Sequence, residues 1–441
     1  MRHAILCTSM VCVAMFWAEA ETMPKDATWN VMDFGAVPDG VTDNTAAFQK
    51  ALDEAAHAGG GVVIVPTGRY SFSGSLSVPM EVVLRGVYAY SPAHAGIRDK
   101  SPEKPEYGSV LLLRGNAGNE EGPPFVLLNS NAALQGVCIF YPDQKPEGPV
   151  PTPYPYAVAM RGNNPAVIDV ELLNPYNAID ASKNQRALIR NIQGQPLHIG
   201  IYVDGIYDIG RIENVHWNPW WSTRPELFEW QKSNGIAFIF GKSDWHYVLN
   251  TFCFGYNVGY KFIETKSGST NGNFLGIGAD DCRTSVLIEQ SAPMGLLITN
   301  GEFVSIDGPD PTMVRVTETN TGTVRFSNCA FWGPCNRNAV IDGKGTVGFG
   351  DCTFVNWSYH KEDCYAIEAL GGSVLVRGCE FKEDKNQVYL GQKVQRAIIT
   401  DNLFLGVKRV RNKSKGIVVV DNNVPTRRKG AEERSKPPQQ Q

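Results

Sequence analysis

Short apolar runs recur along the chain, each ending in Asn, Asp or Gly, with an aromatic or aliphatic residue resuming a few places later. From about residue 134 onward they read LQGVCI, VIDVELL, LIRNI, IENVHW, VLNTFCF, LITNGEF, VRFSNCAF, VGFGDCTF, VLVRGCEF, IITDNLF and VVVDNNV. Runs this short, bounded by turn formers, predict strands and not helices. The polar residue serves as a marker: Asn191, Asn214, Asn250, Asn300, Asn328, Asp351, Gly378, Asp401 and Asp421. Asn191 to Asn214 is 23 residues, Asn328 to Asp351 is 23, Asp351 to Gly378 is 27 and Gly378 to Asp401 is 23. Asn250 to Asn300 is 50 residues, two steps, with the middle one marked near Asn273.

A period in the twenties with several strands per unit predicts a solenoid. Leucine-rich repeats would show regular leucines and helical stretches, and propeller blades would be about twice as long. The expectation is an all-β chain wound as a parallel β-helix. Each coil stacks on the next at the strand spacing of about 4.8 Å. Equivalent residues then line up. Cys329, Cys352 and Cys379 share one repeat position and predict an inward ladder of thiols, continued by an asparagine ladder at Asn402 and Asn422.

A solenoid has an open end that must be covered. Before the repeats, Phe48, Ala51, Leu52 and Ala55 lie on one face of a helix predicted from Asn44 to His57. Asp43 or Thr42 caps it and Gly59, Gly60 and Gly61 stop it. VVIVP and RYSFSG read as the strands after it.

Three further features change the picture. The net charge is -4, which argues against a nucleic-acid partner. Residues 1–20 read as a secretory signal, with Arg2 and His3 before an apolar run from Ala4 to Trp17 and Ala18-Glu19-Ala20 at the cleavage point. The protein is therefore expected to be secreted or periplasmic, with no membrane span. Cys7 and Cys12 leave with the signal, and the other eight cysteines lack the tight CxxC pairs of a zinc site, so most are read as buried free thiols. The domain expectation is one β-helix over 27–425, with its cap at 27–75, and a disordered charged tail over 426–441.

WNVMDFGAVPDGVTDNTAAFQKALDEAAHAGGGVVIVPTGRYSFSG, Trp29 to Gly74, resembles the N-terminal cap of the pectate-lyase-like superfamily, in particular its polygalacturonase-related (glycosyl hydrolase family 28-related) members. The resemblance implies a right-handed parallel β-helix and a carbohydrate-active protein. It also bears on GIGADDCRTSVLIEQ, since polygalacturonases carry a DDC motif where Asp280, Asp281 and Cys282 come after Asn273. Glycoside hydrolysis needs one carboxyl as acid and another to activate water or attack. Twin carboxyls raise each other's proton affinity, which helps to keep one protonated. The chain departs from that family elsewhere. Val258 takes the place of the third aspartate in Tyr256-Asn257-Val258-Gly259, and Phe303 to Gly308 offers neither the family's histidine nor its basic motif. Asp280 and Asp281 also read as ordinary turn residues.

Aligning the coils gives a second candidate pair. Asp208 and Asp244 each lie six residues before a marker, Asn214 and Asn250, and are expected to stack about 5 Å apart on neighbouring coils. Between them, the step from Asn214 to Asn250 runs 36 residues, about a dozen too many. The aromatic loop insertion over 217–245 is expected to carry function. Trp217, Trp220, Trp221 and Trp245 are expected to stack on sugar, Arg211 and Arg224 to pair with carboxylates or sulfates, and Glu226 and Glu229 to add acid or base. His216, His246 and Tyr247 are placed to assist proton transfer. The proline-rich GPVPTPYPY is expected to bridge two coils.

The expected activity is cleavage of glycosidic bonds in an acidic or decorated polysaccharide. A hydrolase needs no cofactor. A lyase acting on uronate glycan is the first rival and would call for Ca2+; a non-catalytic glycan binder is the second. A homotrimer is compatible with the fold.

Overall fold

The computed structural model describes residues 27–100 and 104–427. The expected signal segment and residues 428–441 of the tail lie outside them. Within them the chain is a solenoid of parallel strands arranged as three ladders. The first runs from Thr28–Asn30 through fifteen strands to Ile417–Asp421. The second starts at Asp39–Asp43 and ends at Val424–Pro425. The third starts at Leu76–Val78 and ends at Val410–Asn412. Thr426 and Arg427 still bond to the coil beneath them through Phe404 and Gly406, so the solenoid extends past 425.

The polar markers are the corners between the first and second ladders. Asn191, Asn214, Asn250, Asn300, Asn328, Asp351, Gly378 and Asp401 all have φ between 50° and 67°. Only Gly, Asn and Asp enter this left-handed region at low cost, which is why the marker is confined to them. Two expected corners move. Gly276, not Asn273, turns the middle coil (φ 64°), because Asn273 pairs with Tyr247 inside the first ladder. Asn422, not Asp421, turns the last coil, and Asn423 takes the inward place beside Asn402 (Nδ2 to Oδ1, 2.8 Å). The corner amides are stitched together: Asn214 donates to Asn191 (3.0 Å), Asn191 to Asp169 (2.7 Å) and Asn328 to Asn300 (2.8 Å).

Each corner sets the facing of the residues after it. One and three residues beyond the corner, side chains point inward; two and four beyond, they point out. The third positions give the stack Phe303, Phe331, Phe354, Phe381 and Phe404, with ring centroids 4.8–5.3 Å apart. The first positions give Cys329, Cys352 and Cys379, all buried free thiols; the other five described cysteines are also buried and free.

The cap helix, α1 (Thr45–His57), lays the buried Phe48, Ala51, Leu52 and Ala55 over the open end of the core. Asp43 accepts from the Thr45 amide (3.1 Å) and hydroxyl (2.7 Å) and from Ser73, tying helix to coil. Partial desolvation would raise the Asp43 pKa, but the bonds from Ser73 and Thr45 outweigh it and hold it at about 2. The proline-rich stretch, expected to bridge two coils, instead links the second ladder to the third within one coil, with Thr152 clamped by Gln144 (2.8 and 2.9 Å) and Tyr154 buried against Tyr141.

These contacts can be tested by substitution. Phe354→Ala removes the centre of the ring stack and is expected to lower stability by about 3–5 kcal/mol in chemical denaturation. Asp43→Ala is expected to cost about 1 kcal/mol at neutral pH. A depressed carboxyl stabilises above its unfolded value of 3.8 and stops doing so as pH falls through about 2. The deficit of the variant should therefore fade over that acid window in thermal melts.

Candidate functional site

The outer face of the second ladder carries one continuous row: Val110, Cys138, Glu171, Gln193, His216, Phe252, Gly278, Glu302 and Ala330. Its first half is roofed. The segment 86–100 lies over it, with Ser91 donating to Val170 (3.0 Å) and Tyr90 accepting from Asn214 (2.7 Å). The insertion lies beside that segment and is not an open loop: it contains a helix, α2 (Pro225–Asn234). Asp99 joins the two covers by accepting from Thr223 (2.6 and 2.9 Å) and Ser222 (3.0 Å). Arg224 completes that clamp on the Asp99 carbonyl (3.0 Å). The far end of α2 is held by Lys232, which sits between Asp281 (3.3 Å) and Asp307.

This arrangement corrects most of the aromatic assignments. Trp217 is fully buried in the core, and Trp221 is buried with Leu227 in the apolar layer between α2 and the ladder. Both were expected on sugar; Trp217 instead fills the core and Trp221 seals the layer beneath α2. Trp220 is half-buried edge-on to His216, with ring centroids 5.4 Å apart. Of the four, only Trp245 is open to solvent, 64 % exposed, and it stands at another corner.

Asp208 and Asp244 do not form a lone carboxylate pair. Asp208 is bound by Arg186 (2.5 Å) and Asp244 by Lys242 (2.5 Å). Ile206 bridges to Ser243, one residue out of the strand register, which undoes the expected stacking. They lie in the turn before the first ladder, on a different flank from Asp280. Arg211 and the exposed Tyr247 are neighbours on the outer face of that first ladder. His246, expected in proton transfer, is a core residue: its Nδ1 bonds Ser243 Oγ (2.8 Å) and burial drives its pKa down to about 3. Glu226 is exposed on α2. Glu229 is bound by Arg283 (2.5 Å).

Beyond the roof the row opens into a cleft of about 400 Å³, lined by Asn250, Thr251, Phe252, Gly276 to Asp280, Asn300, Glu302, Val304 and Trp332. Gly278 makes the hollow, since it has no side chain between Phe252 and Glu302. Asp280 projects into it four residues past its corner. Burial pushes its pKa up, with no cation to oppose the shift. Asp281, by contrast, faces Lys232; desolvation still wins and its pKa is also raised. Glu302 lies on the next coil, with Oε2 3.4 Å from Trp332 Nε1. Among the described residues neither Asp280 nor Glu302 forms an ion pair. His216 closes the roofed end against Phe252 (5.1 Å), and burial lowers its pKa. Glu302 and Trp332 escaped sequence reading, although both stand at outward positions, two past Asn300 and four past Asn328.

Lys232→Met removes the shared cation and leaves Asp281 desolvated and unpaired. It should destabilise the protein by about 2–3 kcal/mol at neutral pH, and less in acid, where Asp281 takes up a proton. Denaturant midpoints at two pH values measure this.

Residues 28–96 match the family described as rhamnogalacturonase A/epimerase, pectate lyase-like. Mannuronan C5-epimerase AlgE5 of Azotobacter vinelandii is 59 % identical over 46 residues, which are 10 % of this chain and 5 % of that protein. Alginate lyase 7 of the same organism is 39 % identical over 114 residues, 21 % of this chain and 13 % of that protein. The chain thus spans only a small part of these relatives. The N-terminal fragment of bacteriophage phi29 gene product 12 superposes with a TM-score of 0.62 at 16 % identity, over 89 % of this chain and 71 % of that one. DFA-IIIase from Arthrobacter chlorophenolicus A6, without its lid, gives 0.51 at 12 % identity, over 90 % of this chain and all of that one. These two establish shared architecture. They show a parallel β-helix, and the match over residues 28–96 likens the cap to that of the pectate-lyase-like family.

Proposed function

We propose that the protein is an exported enzyme that cleaves glycosidic bonds in an acidic or decorated polysaccharide, with Asp280 as general acid and Glu302 as its carboxylate partner. The observation that carries this reading is the pair's freedom. Asp208, Asp244, Asp281 and Glu229 are each bound to a cation, whereas Asp280 and Glu302 share an open cleft and are bound to none. An acid whose proton affinity is raised by desolvation on one coil and a second carboxyl on the next meet the need for proton donation and water activation. The two positions are diagonal neighbours. A strand spacing of about 4.8 Å and two residues of about 3.3 Å rise put their backbones roughly 8 Å apart. Backbones at this spacing allow their carboxyl groups to stand about 6.5–9.5 Å apart, the separation that leaves room for a water in inverting hydrolysis. Trp332 and Phe252 supply the aromatic surfaces on which sugar faces rest. His216 borders the cleft as an apolar wall, kept neutral by its surroundings.

The cap's likeness to an alginate lyase and to epimerases of mannuronan supports uronate-rich glycans as the first substrates to try. It also keeps β-elimination as the alternative reaction. The test is a screen of such glycans that reads new reducing ends and ultraviolet absorbance together. Hydrolysis predicts reducing ends without absorbance. Asp280→Asn and Glu302→Gln should each lower kcat by about a hundredfold or more. The wild-type rate should fall at a pH above the ordinary carboxylate range as Asp280 loses its proton, since a raised pKa keeps the acid form to higher pH. An absorbing product would replace hydrolysis by elimination, and full activity in both variants would remove this cleft from the chemistry.

A further inference from the structure

We propose that His94, Cys138 and Glu171 form a zinc site that staples the roof segment 86–100 to the solenoid. The site is separate from the cleft and independent of the reading given for it. Cys138 and Glu171 are adjacent in the outward row, on neighbouring coils of the second ladder, and His94 comes down on them from the segment above. The donor atoms of the three side chains lie within 4.8 Å of one another. Cys138 and Glu171 are both fully buried. Tetrahedral zinc with bonds of about 2.0–2.3 Å needs its donors roughly 3.5 Å apart, so small side-chain rotations close the set, with a fourth position left for water.

Two details fit a metal in place of the ion pair that His94 and Glu171 make without one. The first is the orientation of the histidine. Its Nε2 faces the Tyr107 carbonyl (3.3 Å), while Nδ1 faces Glu171. A proton on Nε2 donated to that carbonyl leaves the Nδ1 lone pair for a metal, the outer contact that orients ligating histidines. The second is charge. Without a metal, a fully buried carboxylate and a fully buried thiol stand side by side, with the His94 imidazole against the carboxylate. Zn2+ displaces the thiol proton, and the Nδ1 proton of the paired imidazole, to water and forms bonds to sulfur, nitrogen and carboxylate oxygen. The divalent ion with thiolate and carboxylate then carries no net charge, which suits a dry site. A mixed sulfur, nitrogen and oxygen set selects a borderline-soft ion such as zinc over calcium. The His94 amide already donates to the other Glu171 oxygen (2.9 Å), so the backbone of the roof is positioned for the bond.

The full-length protein, stripped with chelator and titrated with cobalt(II), tests this. One ion per chain should bind and give the thiolate-to-cobalt charge-transfer absorption, which equimolar zinc abolishes. Cys138→Ser should lose that absorption. His94→Gln, a change on the roof that leaves the core in place, should weaken binding about tenfold or more. Zinc should also slow proteolytic cutting between residues 86 and 108 in the wild type and not in His94→Gln. Absence of binding at equimolar cobalt, or an unchanged absorption in the folded Cys138→Ser protein, overturns the proposal.

Discussion

The left-handed corner between the first two ladders is the constraint on which the rest of the structure depends. A corner residue at φ near 55° turns the strand once per coil, and at Asn191, Asn214 and Asn328 its side-chain amide reaches the corner residue one coil below. With the corner fixed, the alternation of strand side chains decides everything downstream. Position three fills the core with phenylalanine. Position two builds the outer row that holds His216, Phe252, Gly278 and Glu302. A slip of one residue at any corner would exchange the two sets, so the apolar core and the polar cleft are specified by the same choice of Asn, Asp or Gly.

Much of this was legible because the corner is written in residue type. The repeat, the thiol stack and the cap helix come from the spacing of Asn, Asp and Gly and from the apolar face of residues 48–55. The coil at Asn273 was misread because its true corner, Gly276, is a glycine among several glycines, while an asparagine stands three residues earlier in the expected setting. That slip hid the equivalence of Asp280 with Trp332, both four past a corner, and so hid the cleft. The pairing of Asp208 with Asp244 failed for a different reason. Turn residues outside the ladders are not held in strand register, and each acid there found a local cation.

The insertion shows where residue type alone misleads. Five tryptophans between 217 and 245 invite a binding surface. Yet a row of outward Val110, Cys138 and Phe140 must itself be shielded, and Trp221 with Leu227 does so. The roof and α2 together cover the first half of the outer face and stop at Lys232. The cleft is the first stretch of that face left bare, so its position is set as much by where the cover ends as by its own lining.

The stacked sulfurs of Cys329, Cys352 and Cys379 lie inside the barrel of coils, each directed at a carbonyl of a lower coil: Ile298 (3.8 Å), Phe326 (3.5 Å) and Phe349 (3.6 Å). Their protection exists only once the coils have closed over them. In an oxidising compartment such a chain would have to wind faster than its thiols cross-link. The sequential character of a solenoid, in which each turn templates the next, gives it that head start.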